Sequence, residues 1–196
     1  MSNVKLSDAE LALACDANVL LTKNSIIHKV YDMFGQLSKT YTEETVRRQL
    51  PGDILKSSPK ISRGENYLGL PWVMLDYPRY FSGHNIFSIR TMFWWGNYFS
   101  QFIFLKGEFL PENIIERIKE PSTGEQWFLC IGTDPWQHHF EATNMLGIAT
   151  LTPQQINDQI RQCGFLKLGT KIPIERWESV ENFMHTNFIK FLATAI

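Results

Sequence analysis

The segment TDPWQHHFEATN brings imidazole and carboxylate side chains close together in the sequence. It holds two of each: Asp134, His138, His139 and Glu141. Such groups bind divalent metals, and they also act as general acids and bases. The segment has no His-Glu-x-x-His pattern, and adjacent histidines on an extended chain point to opposite sides. Two hypotheses stay open: a metal site built from His138, His139 and Asp134, or one exposed histidine beside one that forms a structural hydrogen bond.

A second polar group, in DYPRYFSGHN, is predicted to lie on a loop that follows a strand. The group comprises Asp76, Arg79, Tyr80 and His84. Polar and aromatic side chains on a loop held by a rigid sheet often form a binding or catalytic site. An ordinary solvated crossover, with turns at its proline and its glycine, is the alternative.

A single arginine, Arg90, interrupts the most apolar stretch of the chain, FSIRTMFWWGNYFSQFIF at residues 87–104. A buried guanidinium needs a partner, because leaving it unpaired costs several kcal/mol. The partner in one reading is a structural carboxylate such as Asp76, or solvent reached past the apolar stem. In the other reading Arg90 forms the floor of an aromatic pocket with Trp94 and Gln101, and the guanidinium holds an anionic ligand.

The same stretch is predicted to form a β-hairpin with Gly96 and Asn97 as its two turn residues. This register places Met92 opposite Gln101, so that Arg90 and Gln101 share one side of the sheet. Both sides of the hairpin are rich in apolar residues. We therefore expect both sides to be covered, by helices or by another subunit.

Helix signals lie on either side of these strands. Ser7 and Glu10 have the spacing of a capping box, and Thr152 followed by Pro153 is a good helix start. Apolar residues at helical spacing predict a long helix near the C-terminus, over residues 175–196.

Strands clustered in the middle of the chain predict an α+β fold with a mainly antiparallel sheet. A central Gly-Asn hairpin is expected, covered by N-terminal helices and a long C-terminal helix. Residues 1–196 are expected to form a single domain, with a helical segment 1–50 packed on an α+β core 67–196. The polar residues 51–66 are expected to connect the two.

Composition narrows the function classes. The chain has 196 residues, 44% of them hydrophobic, and a formal net charge of −1. No basic stripe is present, so no nucleic-acid partner is expected. Polar residues interrupt residues 87–104, so no membrane span is expected there. The three cysteines, Cys15, Cys130 and Cys163, form no Cys-x-x-Cys pair, which favours reduced thiols in a cytoplasmic protein.

Three functions remain from the sequence. The first is a small-molecule binding domain that takes an anionic or amphipathic ligand in an aromatic-lined pocket. The second is a protein–protein interaction or homo-oligomeric module that covers its extra aromatic surface with another chain. The third is an enzyme that uses His84, His138 or His139 with Asp76 or Asp134 as acid and base. The sequence contains no phosphate-loop, dinucleotide-binding or serine-elbow motif, so no cofactor is expected.

Overall fold

A computed structural model describes residues 4–119 and 127–196, which contain six helices and seven strands. This arrangement confirms the α+β prediction. The helices are α1 Asp8–Cys15, α2 Ala17–Arg47, α3 Gly52–Leu55, α4 Ile114–Lys119, α5 Pro153–Cys163 and α6 Trp177–Ala195, and the strands are β1 Lys60–Tyr67, β2 Leu70–Ser82, β3 Asn85–Trp94, β4 Tyr98–Lys106, β5 Phe128–Cys130, β6 Met145–Gly147 and β7 Leu166–Pro173.

The seven strands form one sheet in the order β1-β2-β3-β4-β7-β5-β6. Every neighbouring pair is antiparallel. Strands β3 and β4 lie near the middle and are buried on both sides, as expected for the apolar hairpin. The hairpin therefore provides the rigid centre on which the surrounding elements pack.

The register predicted for the β3–β4 hairpin is wrong by one residue. Trp94, not Trp95, lies opposite Tyr98. The turn has three residues instead of two, and Gly96 takes the positive φ of +68° that closes it. A one-residue slip moves every side chain of a strand to the other side of the sheet. Gln101 consequently lies opposite Thr91 and on the side away from Arg90.

Two expected loops are strands. Residues 60–66 of the expected connection belong to β1, which pairs antiparallel with the backbone groups that the edge of β2 presents. The expected loop after Asp76 is instead a continuation of β2 to Ser82, with a register shift between Asp76 and Arg79. Pro78 lies in this shift, where a residue without an amide hydrogen does not interrupt the ladder.

One side of the sheet is covered by α2 and α6. The buried stripe of α2 runs from Ile27 through Phe34 to Tyr41, and the Tyr41 ring stacks on Phe188 of α6 with centroids 3.8 Å apart. Helix α2 continues without a break through Thr42 to Arg47, and Asp16 separates it from α1. The two covering helices of the prediction thus lie on the same side of the sheet.

The other side of the sheet is covered by an irregular segment, residues 131–144, that lies between β5 and β6. Its aromatic residue Phe140 packs on Phe102 of β4, with ring centroids 5.4 Å apart. Both sides were expected to be covered by helices or by another subunit, and on this side the irregular segment provides the cover.

Local signals at the helix ends are confirmed. Ser7 and Glu10 form both halves of a capping box. Thr152 caps α5, and Gly164 ends it in the left-handed conformation that glycine adopts without strain. The division of the chain into domains stays a prediction.

Within residues 4–119 and 127–196, none of the helices has the length and apolar character that crossing a membrane requires. The three cysteines are free, and burial raises the pKa of the Cys130 thiol. A cytoplasmic location stays a prediction.

Candidate functional site

Arg90 lies at the centre of a polar cluster on the side of the sheet that segment 131–144 covers. Its partner across the strands is Asp76. The guanidinium donates two hydrogen bonds to this carboxylate, from Nε to Oδ1 at 2.6 Å and from Nη2 to Oδ2 at 3.0 Å. The remaining terminal nitrogen, Nη1, lies 2.8 Å from Nε2 of His138. The carboxylate partner suggested from the sequence is therefore present, together with a histidine that was not expected there.

His138 is neutral in this arrangement. Arginine has only donors, so Nε2 of His138 accepts the hydrogen bond from Arg90 and the ring proton lies on Nδ1. Burial lowers the pKa of His138 well below its usual range, and the positive charges of Lys167 and Arg90 lower it further. The backbone amide of His138 donates to the Tyr67 hydroxyl at 2.5 Å, which holds the segment against β1.

Lys167 of β7 brings a second cation to the cluster. Its side chain is buried, with only 2% of the residue exposed. The ammonium donates to the carbonyl oxygens of Pro135, at 2.7 Å, and Gln137, and it lies 4.7 Å from the centroid of the Phe102 ring. Gly169 leaves room for that ring, since a Cβ there would lie 2.7 Å from two Phe102 ring carbons.

The charge of Lys167 is not balanced by an ion pair with any residue that the structure describes. Burial, with a smaller contribution from Arg90, lowers the pKa of its ammonium to about 8, while Cys130 and the exposed Asp134 oppose the shift in part. An ammonium with this pKa is mostly protonated at pH 7. The cluster therefore holds two cations, Arg90 and Lys167, and one half-buried carboxylate, Asp76.

A small cavity of about 20 Å³ lies between these groups. Its walls are polar on the cationic side and aromatic elsewhere, and they are formed by Ser88, Arg90, Phe102, Phe104, Pro135, Trp136, His138 and Lys167. A space of this size admits one water-sized group. The oxygen atoms of a carboxylate or phosphate have this size and the matching charge.

Two exposed aromatic rings lie beside each other, and one of them, Trp136, lines the cavity. Trp136 is 51% exposed and lies 5.6 Å, centroid to Cζ, from the Arg90 guanidinium. Phe81 is 48% exposed, and its ring centroid lies 6.1 Å from that of Trp136. Large apolar rings this exposed are not explained by core packing.

Segment 131–144 is positioned by polar contacts and not by regular secondary structure. Asn144 is buried and donates from Nδ2 to the carbonyl oxygens of His139, at 2.6 Å, and Gln137, at 3.4 Å. The carboxylate of Asp134 accepts from the amide of Trp136 at 2.9 Å. These bonds satisfy backbone groups that a sheet or helix would otherwise satisfy.

Two residues that the sequence grouped with Arg90 lie away from the cavity. Gln101, expected on the same side, is fully buried on the opposite side and donates to Tyr41 Oη at 2.7 Å and Thr91 Oγ1 at 3.1 Å. The three-residue turn is the cause of this error. Trp94 shares the side of Arg90, but its indole packs on Tyr67 and donates to that residue's carbonyl oxygen at 3.2 Å.

The residues after Asp76 do not join the cluster. Arg79 donates from Nε to the carbonyl oxygen of Ser58 at 2.8 Å. Tyr80 packs on Phe109, beside the core on the helical side of the sheet. His84 is exposed in the tight turn between β2 and β3. Core side chains fill the space between the sheet and helices α2 and α6.

Neither histidine is exposed, although the second reading of their segment expected one of them to be. His138 is buried, and His139 is half-buried and forms a 2.9 Å hydrogen bond with Gln137 Oε1. In the described part of the chain, no three histidine, cysteine or acidic side chains lie close enough to hold a metal ion. For the enzyme hypothesis, the cluster unites only His138 and Asp76, with Arg90 between them.

Sequence reasoning missed Lys167 and Trp136. A lysine in a short strand usually reaches solvent, so LKLGTKIP gave no reason to single out Lys167 over Lys171. The glycine between them was a usable signal, since a glycine inside a strand often marks the close approach of another group.

No protein-family model, no curated protein and no solved structure matches this chain.

Proposed function

We propose that this protein binds a small amphipathic anion, with the carboxylate or phosphate end of the ligand between Arg90 and Lys167. The observation that carries this proposal is the buried ammonium of Lys167, which has no ion-pair partner among the described residues. A charge removed from water without an opposite charge costs several kcal/mol. An anion in the cavity offsets that cost. Binding is therefore favoured, because the ammonium is already removed from water in the folded protein without ligand.

The donors of the cavity suit an oxyanion. Two hydrogen bonds to Asp76 hold the guanidinium of Arg90 in one position and orientation, so binding does not have to fix them. The hydrogen-bonded ammonium of Lys167 is similarly placed in advance by Pro135 and Gln137. Two fixed cations around a space of about 20 Å³ favour a compact head group over an extended polyanion.

The body of the ligand is inferred from the cavity's outer side. Trp136 and Phe81 offer two exposed rings next to a space that admits one oxygen atom of the head group and no part of the ligand's body. A flat apolar or aromatic body lying on these rings would remove them from water. Phenylacetate, with one ring and one carboxylate, is a suitable probe of this ligand class.

The experiment compares thermal unfolding of three proteins with and without phenylacetate: wild type, Lys167→Met and Lys171→Met. Lys171 is the matched control because it lies on the same strand and side but outside the cavity lining. At a ligand concentration of about 100 times Kd, binding stabilises by roughly 2.7 kcal/mol, or about 5–10 °C in Tm for a chain of this size. We expect this rise for wild type and Lys171→Met and none for Lys167→Met.

Two further probes separate the parts of the proposal. Phenylacetamide, which is neutral, should not stabilise wild type. Inorganic phosphate should stabilise Trp136→Ala as it does wild type. Phenylacetate should bind Trp136→Ala about tenfold more weakly than wild type, because the contact between two aromatic rings contributes about 1 kcal/mol or more. An equal Tm rise in wild type and Lys167→Met would contradict the proposal, and so would the absence of a rise with any anion.

A further inference from the structure

The N-terminal arm, residues 4–22, lies entirely on the surface of the structure. It contains α1 and the first turns of α2, and none of the residues of α1 is buried. Seven of the thirteen large hydrophobic residues exposed in the described chain belong to it: Val4, Leu6, Leu11, Leu13, Val19, Leu20 and Leu21. Isolated helices of this length are marginally stable in water. The arm therefore has the composition of a segment that is covered in the working protein.

The exposed residues of the arm continue the stripe by which α2 packs on the sheet. Leu20 lies one heptad before Ile27, which is buried, and Val19 lies one heptad before Ile26, which is half-buried. Helix α2 has 31 residues, and its buried residues begin only at Ile27. Its first turns, up to Thr22, therefore carry apolar residues that the core does not cover.

A groove of about 790 Å³ lies where the arm leaves the sheet. One wall is formed by the arm and the following turn of α2, and the other by the end of the sheet. The apolar residues of the two walls are Leu13, Val19 and Ile26 on the helical side and Leu70, Pro71 and Trp95 on the sheet side. The chain thus presents an apolar helix and, next to it, an apolar groove.

We propose that a second copy of this chain covers the arm, so that each copy places its arm against the groove of the other in a two-fold symmetric dimer. A two-fold interface uses the same patch on both copies, which suits a helix and groove that adjoin each other. The arm from Asp8 to Thr22 is about 22 Å long and 10 Å across, so half of its lateral surface is roughly 350 Å². Two such surfaces and the two grooves that they meet give roughly 1,400 Å², within the range of stable interfaces.

Other occupants fit the arm less well. A small apolar molecule in the groove would leave Leu11, Leu20 and Leu21 exposed. Between Asp8 and Thr22 the arm carries three carboxylates and no lysine or arginine. Anionic membranes attract basic helices, so this charge disfavours a lipid surface.

Sedimentation velocity from about 1 to 100 µM tests the proposal, in reducing buffer because Cys15 on the arm is an exposed free thiol. Wild type should be dimeric at the upper concentrations. Val19→Glu on the helical wall and Leu70→Glu on the sheet wall should each raise the dimer dissociation constant about tenfold or more. Val46→Glu is the matched control, since Val46 is an exposed valine near the other end of α2 and should leave the dissociation constant unchanged.

A wild type that is monomeric at 100 µM overturns the proposal, and binding of that monomer to phosphatidylcholine vesicles would assign the arm to a lipid surface instead. A dimer that Val19→Glu or Leu70→Glu leaves intact also overturns it. The proposal is independent of anion binding, because the arm lies outside the lining of the cationic cavity.

Discussion

Replacing Lys167 by methionine should change how stability depends on pH. The folded chain holds the Lys167 ammonium with a pKa of about 8, against an ordinary value of 10.5. Between these pH values the unfolded chain binds more protons at this lysine than the folded chain does, so the wild-type free energy of unfolding rises with pH. The penalty for the buried charge is roughly 3 kcal/mol at pH 7 and falls to about 1 kcal/mol at pH 10.

The assay is urea unfolding at pH 7, 8, 9 and 10, followed by far-ultraviolet circular dichroism. Groups that do not interact with Lys167 act alike in wild type and Lys167→Met, so the difference between the two proteins reports this lysine and the groups coupled to it, Cys130 and His138. We expect wild type to gain roughly 2.5 kcal/mol relative to Lys167→Met from pH 7 to pH 10. Lys171→Met retains Lys167 and should gain as much as wild type does. Parallel curves for wild type and Lys167→Met would refute the inference that the ammonium is buried and charged at pH 7.

The same assay with saturating phenylacetate connects the buried charge to ligand binding. A bound anion favours the protonated form of Lys167 and raises its pKa. The wild-type gain in stability between pH 7 and pH 10 should therefore shrink or reverse. A gain that phenylacetate leaves unchanged would mean that the anion does not reach this lysine.

Three further substitutions test the geometry. Asp76→Asn removes the charged partner of Arg90 and should lower the free energy of unfolding by about 2–3 kcal/mol in urea; a loss below about 0.5 kcal/mol would contradict the structural role of the pair. Gln101→Ala removes two buried hydrogen bonds and should lower the free energy of unfolding by about 2 kcal/mol. Calorimetry should nevertheless give an unchanged Kd for phenylacetate, and a higher Kd would mean that Gln101 contributes to the site. Asn144→Ala removes the bonds that hold segment 131–144, so phenylacetate affinity should fall about fivefold or more, measured by calorimetry; equal affinity would mean that the segment does not shape the cavity.

The helix ends and the fold class could be predicted because their signals are local. A threonine cap, a first-turn proline and a closing glycine lie within α5 and its flanks, and they specify its ends without reference to the rest of the chain. The long C-terminal helix followed from the spacing of its own apolar residues.

The hairpin register could not be predicted because it depends on a single backbone angle. Gly96 serves equally in a two-residue and a three-residue turn, and both sides of the two strands are apolar. Where one side of a strand is polar, the hydrophobic pattern decides the register; here that pattern was absent. The misplacement of Gln101 followed from this alone.

The candidate site was predicted in part. The pairing of Arg90 with Asp76 was one of the two readings of a lone arginine among apolar residues, and the structure contains it. The burial of Lys167 could not be predicted from the sequence. The carbonyl groups that accept its hydrogen bonds belong to a segment about thirty residues earlier, which has no regular secondary structure. Contacts of this separation leave no periodic trace in a sequence.

Proton uptake on binding gives the most direct test of the central claim, which is that a bound anion balances the positive charge of Lys167. Titration calorimetry of phenylacetate at pH 8 in two buffers of different ionisation enthalpy measures this uptake. With a lysine pKa of about 8 in the free protein, about half of the molecules lack the proton, so binding should take up about 0.5 proton per anion in wild type and in Lys171→Met. Binding without proton uptake, or binding of equal strength by Lys167→Met, would contradict the account.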